Sequence, residues 1–188
     1  MHMALKDRRV PGLGIAPQWH ALYTRHQHEK SVVQILSSKG HEVFLPLYVA
    51  ARRWQDRTKQ LSLPLFPGYV FIRGGLDRQL QVLSTPGVFT VVGWAGHPAT
   101  IPDYEIESVR RMTDGSIRVE PHPYLMWGDR VRIRSGTLQG LEGIFVRKKN
   151  TSRFVISLAM LGRSAAVEID TSCLETVNPA SDERREIR

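Results

Sequence analysis

The sequence of 188 residues contains a single cysteine, Cys173. One thiol cannot form a disulfide within the chain, and it excludes a zinc site built from several cysteines. No apolar run approaches the roughly 18 residues that a transmembrane helix needs, so no membrane span is expected. The segment Met1 to Ile15 has no hydrophobic stretch, so we expect no secretory signal there. Together these features predict a cytoplasmic protein.

The sequence also offers little for catalysis or metal binding. His20, His26 and His28 lie close together, but they straddle a predicted strand end and a loop without a nearby set of carboxylates. Metal ligands at a useful spacing are therefore not expected. No glycine-rich loop of the kind that cradles phosphates occurs, and Cys173 has no evident activating base. We expect a protein that is not an enzyme and that needs no cofactor or metal.

Positive charge is present in excess. The formal net charge is +8 at pH 7. Residues 19–113 hold 11 Lys and Arg against 7 Asp and Glu, and residues 125–177 hold 8 against 5, so the excess is spread along the chain. A diffuse positive field is typical of a protein that works beside nucleic acid. The alternative is a basic surface that serves only solubility.

Residues 18–113 predict an α+β domain. Trp19 to Thr24 alternates like a strand, and Gln27 to Lys39 has apolar residues at helical spacing before Gly40 ends the helix. Gly68 to Arg73 predicts a further strand. The order β-α-β, a hairpin, then β-α-β-α predicts an antiparallel sheet with helices packed on one face.

The strand from Gly68 to Arg73 has apolar residues on both sides. Period-two alternation places Val70 and Ile72 on one face, where the helices are expected to pack. Tyr69 and Phe71 then lie on the opposite face, which we predict to be exposed. An exposed aromatic patch on a sheet marks a partner site, whereas the alternative for each ring is burial in the core. Trp19 is assigned to the core.

Residues 50–63 predict a basic hairpin with its turn near Asp56 and Arg57. Its basic side chains would neutralise phosphates of DNA, and its tryptophan would stack on an unpaired base. The alternative is a solvated edge hairpin whose charges prevent pairing with another strand. Two further cations near the same end of the sheet extend this basic surface. The predicted nucleic-acid-binding residues are Arg25, Lys30, Arg52, Arg53, Trp54, Arg57 and Lys59.

The rest of the chain divides by composition. Residues 114–124 contain glycine and prolines without an apolar period, and they predict an interdomain linker. Residues 125–178 contain four or five short β-prone runs separated by glycines, which predict a small β-barrel domain. Residues 1–17 are expected to form a flexible leader, and residues 179–188 a solvated tail.

Two segments resemble one known family. Pro64 to Ile72 followed by Thr85 to Val88 resembles the signature of NusG N-terminal domains, and Trp19 to Thr24 resembles the first strand of that domain. Gly128 to Gly143 is similar to the KOW motif, with Leu138 where the family often carries an aromatic residue. Because both motifs occur in this order between about Trp19 and Val177, the chain is identified as a member of the NusG family.

The resemblance implies a transcription elongation and antitermination factor that modulates pausing and termination. In the family, the N-terminal domain grips the clamp helices of the largest RNA polymerase subunit, and a turn after the second helix lies near a polymerase loop. Mapped onto this sequence, the polymerase-binding residues are Tyr23, Phe66, Tyr69, Phe71, Ser84 and Thr85. The long basic hairpin, the leader and the short linker resemble specialised paralogues such as RfaH or the antiterminators of polysaccharide operons. The general factor remains the alternative.

The resemblance also implies that the second domain, an SH3-like barrel, recruits partners. In the family this domain binds ribosomal protein uS10 or the termination factor Rho, although in some paralogues it forms a helical hairpin that masks the polymerase site. Glycines and β-branched residues favour the barrel here. The predicted contact residues, for which packing in the barrel is the alternative, are Ile144, Phe145, Leu158, Met160 and Leu161. A ribosome- or RNA-associated KOW protein is the competing hypothesis; in either case we expect a monomer.

Overall fold

The computed structural model describes residues 17–54, 57–74, 79–114, 117–123, 128–148, 151–158 and 161–177. The N-terminal half is built on a four-stranded antiparallel sheet with strand order β2-β5-β1-β6. Its strands are β1 (Trp19–Thr24), β2 (Glu42–Phe44), β5 (Tyr69–Arg73) and β6 (Val88–Val91). Three helices accompany it: α1 (Glu29–Ser38), α2 (Gln79–Leu83) and α3 (Asp103–Asp114). The predicted α+β class and the predicted order of these elements are confirmed.

Two hairpins project from this domain. The longer pairs β3 (Leu47–Trp54) with β4 (Arg57–Pro64), which confirms the predicted hairpin. The shorter pairs β7 (Gly93–Trp94) with β8 (His97–Pro98) and was not predicted. Among the described residues, no helix is both long and apolar enough to cross a membrane.

Helices α1 and α2 cover the face of the sheet that the alternation predicts. Val32 and Leu36 are one helical turn apart on α1, and both are fully buried against Val70 and Ile72 of β5. The helix ends where Gly40 takes a positive φ of 82°, a conformation that glycine adopts without strain. One half of the core of this domain lies on this side of the sheet.

Helix α3 lies on the opposite face, which corrects the prediction that all helices share one face. Its buried residues Ile106, Val109 and Met112 belong to the same cluster as Trp19 and Phe71. The physical reason is that β5 is apolar on both sides. A sheet with two apolar faces must be covered twice to remove both from water. The core position predicted for Trp19 is confirmed, at 3% exposure.

The C-terminal half is a six-stranded antiparallel sheet of order β14-β10-β11-β12-β13-β9. Its short strands are consistent with the predicted SH3-like barrel, and a short 3-10 helix (Thr171–Cys173) precedes the last strand. Its core is formed by fully buried residues such as Phe154 and Leu158. The strands are β9 (Val119–Pro123), β10 (Asp129–Ile133), β11 (Glu142–Lys148), β12 (Thr151–Leu158), β13 (Arg163–Glu168) and β14 (Leu174–Thr176).

Part of the segment predicted as the linker, residues 114–124, forms strand β9. This strand adds to the edge of the second sheet by pairing with β13, from Val119 opposite Val167 to Pro123 opposite Arg163. Prolines led to the loop prediction, but proline is compatible with an edge strand when its nitrogen faces away from the neighbouring strand. The stretch between α3 and β9 is therefore only residues 115–118.

The two halves contact each other through α3. The guanidinium group of Arg111 donates hydrogen bonds to the carbonyl oxygens of Thr137 (3.0 Å) and Gln139 (2.7 Å) in the turn before β11. Near the start of α3, Tyr104 and Glu105 line a cleft together with Ile144 and other residues of the second sheet. The second domain is thus docked on the helix that covers the aromatic face of the first.

Candidate functional site

Three aromatic side chains form a row across neighbouring strands of the N-terminal sheet. Tyr69 on β5 and Tyr23 on β1 are paired across the ladder, and their ring centroids are 5.6 Å apart. The ring of Phe89 on β6 lies 5.8 Å from that of Tyr23 on the other side. Tyr23 is 45% exposed and Phe89 62% exposed. We call the depression around these three rings the aromatic pocket.

The aromatic pocket has a volume of about 700 Å³ and is open to solvent. Besides the three rings it is lined by Thr24 and His26 from the end of β1, by the turn at Pro67 and Gly68, and by the segment from Thr90 to Gly93. Arg163, at the start of β13 in the second domain, also lines it. The lining therefore combines aromatic rings with polar side chains, as protein-binding sites do.

The turn that leads into β5 fixes one wall of the aromatic pocket. Gly68 has a positive φ of 83°, and a Cβ there would lie 3.3 Å from the ring of Tyr23. Its N–H donates to the Oε1 of Glu29 (2.8 Å), a buried carboxylate in the first turn of α1. Its carbonyl accepts the N–H of Thr24 (2.8 Å). These contacts explain why a glycine stands between Pro67 and Tyr69, and they hold the rings on a rigid base.

Two of the aromatic residues predicted for this site are in the core instead. Phe71 is fully buried and Phe66 is 1% exposed, with their rings in edge-to-face contact at 6.1 Å. The alternation that put Phe71 on the same face as Tyr69 is correct, but α3 covers that part of the face. Tyr23 is exposed and Tyr69 is half-buried, so of the predicted aromatic residues these two remain candidates for the contact.

The turn after α2 supplies one surface residue of the two predicted there. Ser84 is exposed, whereas Thr85 is 1% exposed. The hydroxyl of Thr85 donates to the carbonyl of Gln81 (3.2 Å) and accepts from the Nζ of Lys39 (3.0 Å). Thr85 therefore ties α2 to the end of α1 and is not available to a partner, which corrects its prediction as a contact.

The basic hairpin presents its cations to solvent. Arg52, Arg53, Arg57 and Lys59 are all exposed, and Arg52 is paired directly opposite Lys59. Like charges opposite each other on a strand pair are destabilising, so stability alone does not account for this arrangement. A polyanion that binds between them would remove the repulsion. The hairpin tip at residues 55–56 and the side chain of Trp54 lie outside the described part of the chain.

The two further cations predicted for this surface differ in their surroundings. Arg25 is exposed just beyond β1. The Nζ of Lys30 on α1 donates to the carbonyl oxygen of Ser62 (2.8 Å) on β4, so this lysine braces the base of the basic hairpin. An exposed lysine held by one carbonyl can still face a phosphate with its remaining donors.

The contact residues predicted in the second domain are divided between core and surface. Leu158 and Leu161 are buried in the core, so the structure favours the alternative of packing for these two residues. Ile144 is half-buried beside α3 in the interdomain cleft, and Phe145 is half-buried against the core cluster. Met160 lies outside the described residues.

Sequence reasoning missed three exposed aromatic residues, Phe89, Trp94 and Tyr104. Phe89 belongs to an apolar run that predicts only a strand, and the register of β1 against β6 shifts between Tyr23 and Thr24. Such a bulge disturbs the alternation of side chains, and its position is not visible in the sequence. Trp94, at the turn of the short hairpin, is 86% exposed. The dipeptide Ala95–Gly96, with positive φ at both positions, is the signal that marks this turn.

Comparison with known proteins places the chain among transcription factors. Residues 17–110 match the family model described as transcription termination factor nusG. The chain is 25% identical over 178 residues to the transcription termination/antitermination protein NusG of Pseudomonas aeruginosa, covering 87% of this chain and 100% of that protein. It is 24% identical over 173 residues to the protein of the same name from Lactococcus lactis, covering 85% of this chain and 92% of that one.

Two solved structures also align with the chain. A structure titled "Domain interaction in Thermotoga maritima NusG" aligns with a TM-score of 0.49 at 22% identity, covering 86% of this chain and 97% of that one. A structure titled "Crystal Structure of MjSpt4:Spt5 complex conformation A" aligns with a TM-score of 0.28 at 17% identity, covering 85% of this chain and 98% of that chain.

Proposed function

This chain belongs to the NusG family of transcription termination and antitermination factors, and we propose that it binds RNA polymerase through the aromatic pocket. The observation that carries the proposal is the row of Tyr69, Tyr23 and Phe89, three adjoining rings that remain accessible on a rigid sheet. Aromatic side chains dominate the energetics of protein interfaces because they bury much area at little cost in conformational entropy. The family's polymerase contact, the clamp helices of the largest subunit, is the proposed occupant.

The shape of the aromatic pocket supports a helical occupant. A depression of about 700 Å³ that is open on one side accepts protruding side chains from the face of a helix. The hydroxyl groups of Tyr23 and Tyr69 allow hydrogen bonds at the edge of an otherwise apolar contact. His26 and Arg163 at the rim supply polar contacts of lesser energy.

The test is the affinity of the full-length chain for RNA polymerase after truncation of single pocket residues. We expect Tyr23→Ala and Phe89→Ala each to weaken binding at least about tenfold, as central aromatic residues do at interfaces. Tyr104→Ala is the matched control, because Tyr104 is a 71% exposed aromatic residue on α3 outside the aromatic pocket. Equal affinities for the wild type and both pocket variants would refute this site.

The basic hairpin is the proposed contact with DNA of the transcription bubble. Exposed cations at Arg52, Arg53, Arg57 and Lys59 would neutralise phosphates, with Arg25 and Lys30 extending the same surface. Ser84 is the proposed contact with a second polymerase element, since Thr85 is buried.

The second domain is the proposed recruitment module. Ile144 and Phe145 are its remaining candidate contacts with ribosomal protein uS10 or Rho. The family match covers the N-terminal domain, which favours a polymerase factor over a ribosome-associated KOW protein. An in vitro transcription assay that scores pausing and Rho-dependent termination on several templates separates a general factor from an operon-specific one. A general factor acts on all templates, whereas a specialised paralogue acts on few.

A further inference from the structure

Strand β9 lies between the two domains and contacts both. On one side it pairs with β13 of the second sheet, and on the other it contacts β3 at the base of the basic hairpin. Val119 is the buried residue of this strand, and it lines a cleft with Leu47 and Val49 of β3. Because β9 contacts both domains, a change in its position would change the position of one domain relative to the other.

Strand β9 buries little apolar area, because Val119 is the buried residue among its five. Pro121 and Pro123 have no N–H, and residues two apart on a strand direct their backbone groups to the same side. The β9 donors to β13 must therefore come from Glu120 and His122. One side-chain contact adds to the ladder, an ion pair between the carboxylate of Glu120 and the guanidinium group of Arg153 at 2.7 Å. Segments with little buried apolar area open most readily.

We propose that β9 is a releasable latch that sets the length of the connection between the two domains. With β9 paired, the connection from Asp114 to Val119 is residues 115–118, four residues that reach about 14 Å when extended. With β9 released, it is residues 115–128, fourteen residues that reach about 50 Å. The proposal concerns the position of the second domain and stands independently of polymerase binding.

The latch acts on the docking of the second domain against α3. Docking closes a loop through the connection, and the probability of closure falls with about the 3/2 power of its length. Lengthening the connection from four to fourteen residues therefore lowers the docked-to-undocked ratio about sixfold. Release also moves the end of β13, where Arg163 pairs with Pro123 and lines the aromatic pocket.

The test measures the interdomain distance and the protection of β13 in the full-length chain. Spin labels on Ser38→Cys in α1 and Ser135→Cys in the second domain, both exposed sites, report the distance in a Cys173→Ser background. We expect His122→Pro, which removes a ladder donor, to raise the ratio of the long-distance to the short-distance population about sixfold and to raise deuterium uptake at residues 163–167. Pro121→Ala is the matched control, because its nitrogen faces away from β13, and it should change neither quantity.

A second variant keeps the test decisive if His122→Pro unfolds the domain, which would show as deuterium uptake throughout residues 151–158. Glu120→Arg reverses one charge of the ion pair and should give the same opening, and Glu120→Arg with Arg153→Glu should restore the wild-type distances. Raised uptake at residues 163–167 without any change in distance would overturn the proposal. Unchanged uptake in both His122→Pro and Glu120→Arg would also overturn it, because β9 would then not be the releasable element.

Discussion

Phe66 and Phe71 lie in the part of the core that is packed between the N-terminal sheet and α3. Both are buried and in contact with each other. We expect Phe71→Ala to lower the free energy of unfolding by about 3–5 kcal/mol, because a large buried ring is replaced by a cavity. Urea denaturation of the full-length chain measures this loss.

Phe89→Ala is the control for that measurement, since its ring is mostly solvent-exposed and its removal should change stability by less than about 1 kcal/mol. If Phe71→Ala left the unfolding midpoint unchanged, the ring would not be a core residue. Because Phe71→Ala is expected to lower stability, any loss of polymerase binding in this variant has to be distinguished from a loss of folded protein. Phe89→Ala reports on the surface of the aromatic pocket directly.

Glu105 is a carboxylate that the docking of the second domain places in a cleft. Its burial raises the pKa above the ordinary value of 4.5, and a hydrogen bond from Tyr104 partly offsets this rise. The folded state then binds more protons than the unfolded state just above pH 4.5, so stability contributed by this group falls as pH rises through its folded pKa. We expect Glu105→Gln to be more stable than the wild type at pH 7 and equal to it near pH 4.

Denaturation of wild type and variant at these two pH values measures the difference. Glu107→Gln is the matched control, because Glu107 is exposed on the same helix. A stability difference for Glu105→Gln that stays constant with pH would mean that its carboxylate is not desolvated in the folded protein.

Which side chains share a face could be predicted from the sequence, but what covers the face could not. Period-two alternation correctly separates Val70 and Ile72 from Tyr69 and Phe71. The alternation gives no information on how far α3 extends across the second face. The extent of α3 determines that Phe71 is buried and that Tyr69 stays partly exposed. The position of α3 depends on contacts between residues distant in sequence, such as Arg110 of α3 over the ring of Trp19 (5.8 Å).

Local sequence signals were sufficient to predict those elements that form from residues close together in the chain. The basic hairpin and helix α1 carry their own local sequence signals, and both form where predicted. Strand β9 was missed because its prolines are typical of loops and its pairing partner is β13, about forty residues later. A strand that completes the edge of a sheet is specified by that edge as much as by its own residues.

The basic hairpin leads to a prediction about salt dependence. If Arg52 and Lys59 each neutralise one phosphate, their joint replacement by alanine should flatten the plot of log affinity against log salt concentration. The slope should fall by about 1.4–1.8, depending on whether the DNA is single- or double-stranded. Fluorescence anisotropy with a bubble-shaped DNA at several salt concentrations measures it.

Arg130→Ala with Arg134→Ala is the matched control, because it removes the same charge from exposed positions in the second domain. A change in slope equal to that of the hairpin variant would show that the charge acts through the general field of the protein. The hairpin would then not be a specific DNA contact.

The whole molecule leaves the aromatic pocket accessible while its domains are docked. Among the described residues of the second domain, Arg163 alone lines the aromatic pocket, and Tyr23 and Phe89 keep large exposed fractions. The second domain contacts α3 and β3 instead. The arrangement differs from a domain that masks the site, and we therefore expect a partner to bind without prior undocking.

This accessibility predicts the kinetics of association with RNA polymerase. When no opening step precedes binding, the observed rate rises linearly with polymerase concentration, whereas a required opening makes it level off at the opening rate. We expect a linear dependence for the full-length chain in stopped-flow fluorescence. Arg111→Ala, which removes both hydrogen bonds from α3 to the second domain, should leave the slope unchanged. A plateau that Arg111→Ala raises would show that the domains must separate first.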